Sequence, residues 1–271
     1  MIKNYFGGTA SMAQLFLMYF SPTHTTKKLV SAVGKIFFER MLAETKIVDL
    51  THPLERLQNY IFAKDDIVIF GAPVYGGRVP PIVLPFLNRM EGNGAKAVIL
   101  SVYGNRDYDD ALLESTDIFS SRGFSVCAAA AFIGEHSYSD LVGTGRPDTE
   151  DLLAAYSFGI VAFAKTESGK VIAEPVRGVR PYKELSPFML AQKTAPAIDF
   201  AKCAKCGTCT EVCPTANIRK DLKNENRCIG CGACVKFCPF KARSFTDPKI
   251  LSAKENLEKN CTARRAPEFF L

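Results

Sequence analysis

The chain has 271 residues, 47% of them hydrophobic and 23% charged, with a formal net charge of +6, ten cysteines and no tryptophan. That balance is ordinary globular usage, which excludes a disordered chain, and the length fits about two domains. No apolar stretch reaches the roughly 20 residues of a bilayer span, the basic residues are dispersed without a nucleic-acid motif, and no leader pattern points to export, so a soluble cytoplasmic protein is expected.

Residues 1–11 lack periodicity, and Met12 reads as the native start. From there strands and helices alternate. Gln14 to Phe20 is an apolar strand, and Lys27 to Leu42 carries Leu29, Val33, Ile36, Phe37 and Leu42 at helical spacing. Four further strands are predicted at Thr45 to Leu50, Asp66 to Ala72, Lys96 to Tyr103 and Phe124 to Ile133. Helices are predicted at Val79 to Met90, Asp109 to Ser121 and Glu150 to Thr166, the last behind an Asp148 cap. Alternation of this kind predicts an α/β doubly wound, five-stranded parallel sheet covered on both faces.

In such sheets ligands bind beyond the carboxyl ends of the strands, where the order reverses, which selects three loops. The first, Ser21-Pro22-Thr23-His24-Thr25-Thr26, opens a helix with four hydroxyls and free N–H groups, a cradle for a phosphate dianion. Ser and Thr are also ordinary helix caps, so the composition alone is a weak signal. The second, Pro73-Val74-Tyr75-Gly76-Gly77-Arg78-Val79-Pro80, sets an aromatic ring beside glycines that permit close backbone approach. The third, Tyr103-Gly104-Asn105-Arg106-Asp107-Tyr108, repeats that arrangement. Together they suit a phosphate, one face of a flat ring and the polar edge of that ring.

Residues 169–198 hold Pro175, Pro181, Pro187 and Pro196, which favours an ordered connector over a flexible linker. Two cysteine runs of one spacing follow: Cys203, Cys206, Cys209, Cys213 with Pro214, and Cys228, Cys231, Cys234, Cys238 with Pro239. The pattern C-x2-C-x2-C-x3-C-P is that of bacterial two-cluster ferredoxins, where three thiolates of one run and the fourth of the other hold each [4Fe–4S] cluster. One cluster then takes Cys203, Cys206, Cys209 and Cys238, and the other takes Cys228, Cys231, Cys234 and Cys213. Disulfides have no oxidising compartment to support them, and zinc knuckles have no tetrahedral use for the third cysteine of each run. Cys127 reads as a buried small hydrophobe, and Cys261 has no place in either run.

Between Asp199 and Asp247 nine basic residues face five acidic ones, a surplus of +4. Solvated charge offsetting anionic clusters is the simpler account, and a docking face for an acidic redox partner is the sharper one. No G-x-G-x-x-G follows a strand, so nicotinamide binding has no motif behind it. The last five residues, Pro267-Glu268-Phe269-Phe270-Leu271, are too apolar to fray and are expected to pack across the domain junction.

The segment from Met12 to Thr166 resembles a flavodoxin, since Ser21, Thr23 and Thr26 match its S-x-T-x-x-T phosphate loop and Tyr103-Gly104-Asn105-Arg106 resembles its third flavin loop. With the cysteine-rich end, the whole is similar to flavodoxin–ferredoxin fusion proteins. The resemblance implies FMN, with Ser21, Thr23, Thr25 and Thr26 around the phosphate, Tyr75 or Tyr108 against the isoalloxazine, and backbone 103–105 at the pyrimidine edge. Flavodoxins usually carry Gly-Asn where this chain has His24-Thr25. His24 therefore either places a titratable charge near the phosphate or sits solvated at the loop rim.

The expected organisation is an FMN-binding domain at 12–168, a connector at 169–198, a small α+β ferredoxin domain with two [4Fe–4S] clusters at 199–247, and a tail at 248–271. The expected function is electron transfer between the clusters and FMN, serving a redox partner protein. The alternative is an FMN-dependent reductase of a small organic acceptor, fed by its own clusters.

Overall fold

The computed structural model describes residues 13–41, 43–190 and 193–271. Met12 and Leu42, named above as a start and a helix end, lie outside the described residues. The central sheet contains β1 (Leu15–Tyr19), β2 (Thr45–Asp49), β3 (Ile67–Pro73), β4 (Lys96–Tyr103) and β5 (Ser125–Ile133). They run parallel in the order β2-β1-β3-β4-β5. That is the flavodoxin-like doubly wound order, whose reversal point lies between β1 and β3.

A parallel sheet must be covered on both faces, and β1, β3, β4 and β5 are accordingly buried along almost their whole length, while the edge strand β2 buries only Val48. On one face α1 (Thr25–Met41) and α4 (Thr149–Ser168) lay Leu29, Val33, Phe37, Ala155, Phe158 and Ala162 on Leu15, Ile69, Leu100 and Ala130. On the other face Leu112 and Phe119 of α3 (Ala111–Ser121) join Phe62, Phe70, Phe86 and Phe124. Gly71 in β3 allows the first turn of α1 onto the sheet: a Cβ there would lie 2.4 Å from Val30 Cγ2 and 2.9 Å from Thr26 Cγ2.

The helix expected over Val79 to Met90 is reduced to α2 (Leu84–Leu87). Pro80, Pro81 and Pro85 explain the difference, because each lacks an N–H and restricts the residue before it, which leaves turns where apolar spacing suggested a helix. The sheet also has one strand more than the five expected. The chain end forms β8 (Glu268–Phe270), antiparallel to β5, with Ala129, Ala130 and Ala131 opposite Phe270, Phe269 and Glu268. The tail thus closes the sheet edge, where packing across the domain junction was expected. Before it, α8 (Pro248–Asn260) starts at an Asp247 side chain that accepts the Lys249 N–H.

The connector, which carries the single turn α5 (Pro187–Leu190), runs along the third loop and α3. Arg177 covers the Tyr108 ring at 3.9 Å and pairs with Asp107, and the Val179 and Lys183 N–H groups donate to the Asp110 carboxylate. The cysteine-rich end then folds as short helices α6 (Thr208–Glu211) and α7 (Ala233–Lys236) on an antiparallel pair, β6 (Ala197–Ile198) with β7 (Arg243–Ser244). Among the described residues no helix is long and apolar enough to cross a membrane.

Candidate functional site

The loops beyond β1, β3, β4 and β5 surround a cavity beyond the carboxyl ends of the strands. Ser21, Thr23, Thr25 and Thr26 line one end, Pro73, Val74 and Tyr75 a side, and Tyr103 and Gly104 a third wall. Thr26 is fully buried and its hydroxyl has no hydrogen-bond partner, an orphan donor of the kind that an anion at a helix N-terminus satisfies. The Ser21 hydroxyl accepts the Lys27 N–H at 2.9 Å and fixes the loop. This wall fits a phosphate.

A fourth wall was not read from the sequence: Gly134, Glu135, His136 and Ser137, just beyond β5. The rule that placed ligands at strand ends applied there too, but the segment carries no hydroxyl run or aromatic-glycine pair to draw attention. Gly104 is needed for this wall to close, since a Cβ there would lie 2.3 Å from His136 Cδ2. Burial lowers the His136 pKa to about 4, so the ring is neutral at physiological pH.

Several predicted residues stand outside the cavity. Tyr108 is fully buried in the core, its hydroxyl donates to Glu268 at 2.6 Å, and Arg177 covers its ring, so it is no partner for a flavin ring. Asn105, with φ +60, turns its amide nitrogen to the carbonyls of Cys261 and Ala263 in the tail. Arg106 pairs with Asp109, and Gly76 and Gly77 lie against Met189 and Asp109. Tyr75 alone of the two proposed rings lines the cavity.

His24 is likewise absent from the cavity wall. Its ring packs at 4.5 Å, tilted by 42°, on Phe237, which lies in the cysteine-rich domain. Burial and the Lys27 ammonium lower its pKa below the usual imidazole range. The exposed ring fits the reading of a solvated side chain at the loop rim and adds a contact with the cysteine-rich domain. One residue earlier in the cysteine-rich domain, Lys236 pairs with Glu135 at 2.6 Å. The segment Cys234-Val235-Lys236-Phe237-Cys238 is thus fastened at two points to the loops that line the cavity.

The eight cysteines of the two runs sort into two further cavities. One is lined by Cys203, Cys206, Cys209 and Cys238, and the other by Cys213, Cys228, Cys231 and Cys234. Each set therefore mixes the runs three to one. None of the eight is in a disulfide. Backbone N–H groups of Asn217, Gly230 and Ala242 point at the sulfurs of Cys213, Cys228 and Cys238 at 3.2–3.4 Å. Among the described residues no group of three or more His, Cys, Asp or Glu is arranged to hold a metal ion; the thiols ring a space instead of a point. Such a ring with N–H donors behind it fits a cuboidal cluster.

The two cavities differ in depth. Cys206 is exposed, whereas Cys231 and Cys234 are buried, and burial pushes the Cys234 thiol up to about 12. Cys231 belongs to two walls: it lines its own four-cysteine cavity and also the cavity at the sheet ends. Burial, then Cys231, Tyr138 and Cys228, raise the Tyr75 hydroxyl well above its usual range, which reflects how closely the two sites adjoin. A further space, walled by Pro80, Ile82, Met189 and Ile229, also meets Tyr75 and Cys228.

Residues 196–219 and 222–244 match the family model described as the 4Fe-4S binding domain. No curated protein sequence matches the chain. Among solved structures, the chain is similar to rubredoxin oxygen:oxidoreductase from Desulfovibrio gigas, at 15% identity and a TM-score of 0.42, covering 57% of this chain and 36% of that one. It is similar to a Streptococcus pneumoniae TIGR4 flavodoxin at 16% identity and a TM-score of 0.42, covering 56% and 99%. A third, oxidised flavodoxin 2 from Bacillus cereus, is 17% identical with a TM-score of 0.42, covering 57% and 99%. This chain thus spans about a third of the first of these proteins.

The strand order and the matched domain define an iron–sulfur protein of two parts. It joins an α/β domain of flavodoxin-like strand order to a segment that matches the 4Fe-4S binding domain model.

Proposed function

We propose that the chain is an electron-transfer iron–sulfur flavoprotein that passes electrons between two [4Fe–4S] clusters and FMN. The observation that carries this reading is Cys231, which lines both a four-cysteine cavity and the cavity at the sheet ends. An electron moving between those sites would cross a shared wall instead of a stretch of protein.

In this reading Ser21, Thr23, Thr25 and Thr26 hold the FMN phosphate, with the orphan Thr26 hydroxyl as a donor. Tyr75 flanks the ring, and the backbone at Tyr103 and Gly104 meets its polar edge. FMN would supply a carrier that takes one or two electrons, and the clusters one-electron stores. Cys213, Cys228, Cys231 and Cys234 hold the cluster near FMN. Cys203, Cys206, Cys209 and Cys238 hold the outer one, reached from solvent at Cys206. Around that end Phe200 and Phe240 are exposed beside Lys202, Lys205 and Lys241, which suits a redox partner protein with an acidic face.

A second reading, a reductase of a small organic acceptor, is favoured by one observation: the space walled by Pro80, Ile82, Met189 and Ile229, which touches both Tyr75 and Cys228. Anaerobic analysis of the intact protein tests the common core of both. About eight iron, about eight sulfide and one FMN per chain are expected, with reductive titration bleaching clusters and flavin together. About four iron, or no flavin, contradicts it.

A further inference from the structure

Arg243 is 4% exposed, and no carboxylate pairs with it among the described residues. Its Nη1 donates to the Pro196 carbonyl at 3.2 Å, while its Nη2 is buried without any hydrogen-bond partner. A guanidinium is a permanent cation, and leaving one buried and half-satisfied is strongly unfavourable unless an anion lies beside it. The surroundings show where that anion belongs. Arg243 lines the cavity of Cys203, Cys206, Cys209 and Cys238, and Pro196, which it bonds, lines the cavity of the other four. The side chain therefore lines one cysteine cavity and is hydrogen-bonded to a wall residue of the other.

We propose that Arg243 is the internal counter-cation of both iron–sulfur clusters and sets their reduction potentials. This rests on the two-cluster reading above. A cluster held by four thiolates is anionic, and accepting one electron from an external donor makes it one unit more negative, with no bond made or broken. A fixed positive charge in a dry site stabilises the reduced form more than the oxidised one, so it favours electron uptake. Lining one cavity and bonded to a wall residue of the other, one cation acts on both clusters and also weakens the repulsion between them when both are reduced. The exposed lysines nearby do little of this, since solvent and salt screen them.

The test is an anaerobic redox titration of the iron-loaded full chain, read by the electron paramagnetic resonance of the reduced clusters, in wild type, Arg243→Lys and Arg243→Met. Arg243→Met should take up its first electron with about tenfold lower affinity, a fall of about 59 mV for a one-electron couple. Arg243→Lys, which keeps the charge and loses the fork, should stay within about threefold of wild type. Wild-type potentials in Arg243→Met, or an equal fall in both variants, overturn the proposal. If Arg243→Met retains less than half of its iron, Arg243→Gln is titrated in its place, and unshifted potentials there overturn it equally. Iron content separates the two levels: a wild type without about eight iron per chain defeats the two-cluster reading and this proposal with it. Full iron with unshifted potentials defeats this proposal alone.

Discussion

Replacing Cys213 by Ala is expected to empty the cavity whose other three cysteines follow residue 227, and to leave the outer cluster in place. Cys238→Ala should do the reverse, removing the outer cluster although Cys238 ends the second run. This crosswise outcome follows from the walls: Cys213 faces Cys228, Cys231 and Cys234, and Cys238 faces Cys203, Cys206 and Cys209. Cluster binding supplies folding free energy to small metal domains, so each loss should also loosen the region around it. On the proposed reading the effect on FMN is asymmetric. Without the inner cluster, its reduction through the clusters should slow on the order of a hundredfold or more, because the remaining donor is no longer in the shared wall. Cys127→Ser and Cys261→Ser are the controls and should keep all their iron, since Cys127 is buried in β5 and Cys261 caps α8. Iron content with the spectrum of the remaining cluster decides it. If Cys213→Ala loses the signal that Cys203→Ala also loses, the ligand sets are not crosswise.

Removing residues 267–271 has the second large effect. Phe269 stacks on Phe158 at 5.1 Å and meets Phe132 at 5.7 Å, and Phe270 and Leu271 pack against opposite faces of the sheet. Glu268 accepts the buried Tyr108 hydroxyl. Partial burial of three large apolar side chains, a lost buried hydrogen bond and a lost edge strand together come to about 3 kcal/mol. For a chain of this size that lowers the melting temperature by roughly 6–12 °C. The alanine-rich edge of β5 would also be uncovered, which favours self-association. A truncated protein with an unchanged melting temperature would show that the tail only rests on the sheet.

What was legible in the sequence depended on how local its cause is. Cysteine spacing encodes a ligand loop within a dozen residues, and the match over 196–244 falls on both runs. The alternation of strands and helices follows from burial on both faces, so the parallel sheet was readable. The positions of Tyr108 and Asn105 were not, because they are fixed by Arg177, Glu268 and the carbonyls of Cys261 and Ala263, roughly 70 to 160 residues away. His24 stood out as a departure in the phosphate loop, but its reason, the Phe237 ring, lies in the other domain. Two misses had local signals: the prolines that break up residues 79–90, and the Asp247-Pro248 start of α8, an N-cap followed by proline at the first helical position.

That His24 contact, with Lys236 on Glu135, gives the fused arrangement its sense. Both anchors come from the short segment between the last cysteines of the two cavities, and both land on loops of the cavity at the sheet ends. The geometry holds the inner four-cysteine site against that cavity in one fixed chain.

The most direct test is to deliver one electron rapidly to the clusters of the intact protein under anaerobic conditions and follow reduction of the flavin. Transfer within one chain requires a flavin signal whose rate is the same at every protein concentration. A rate that rises in proportion to protein concentration, or a flavin that stays oxidised while the clusters hold the electron, would contradict it.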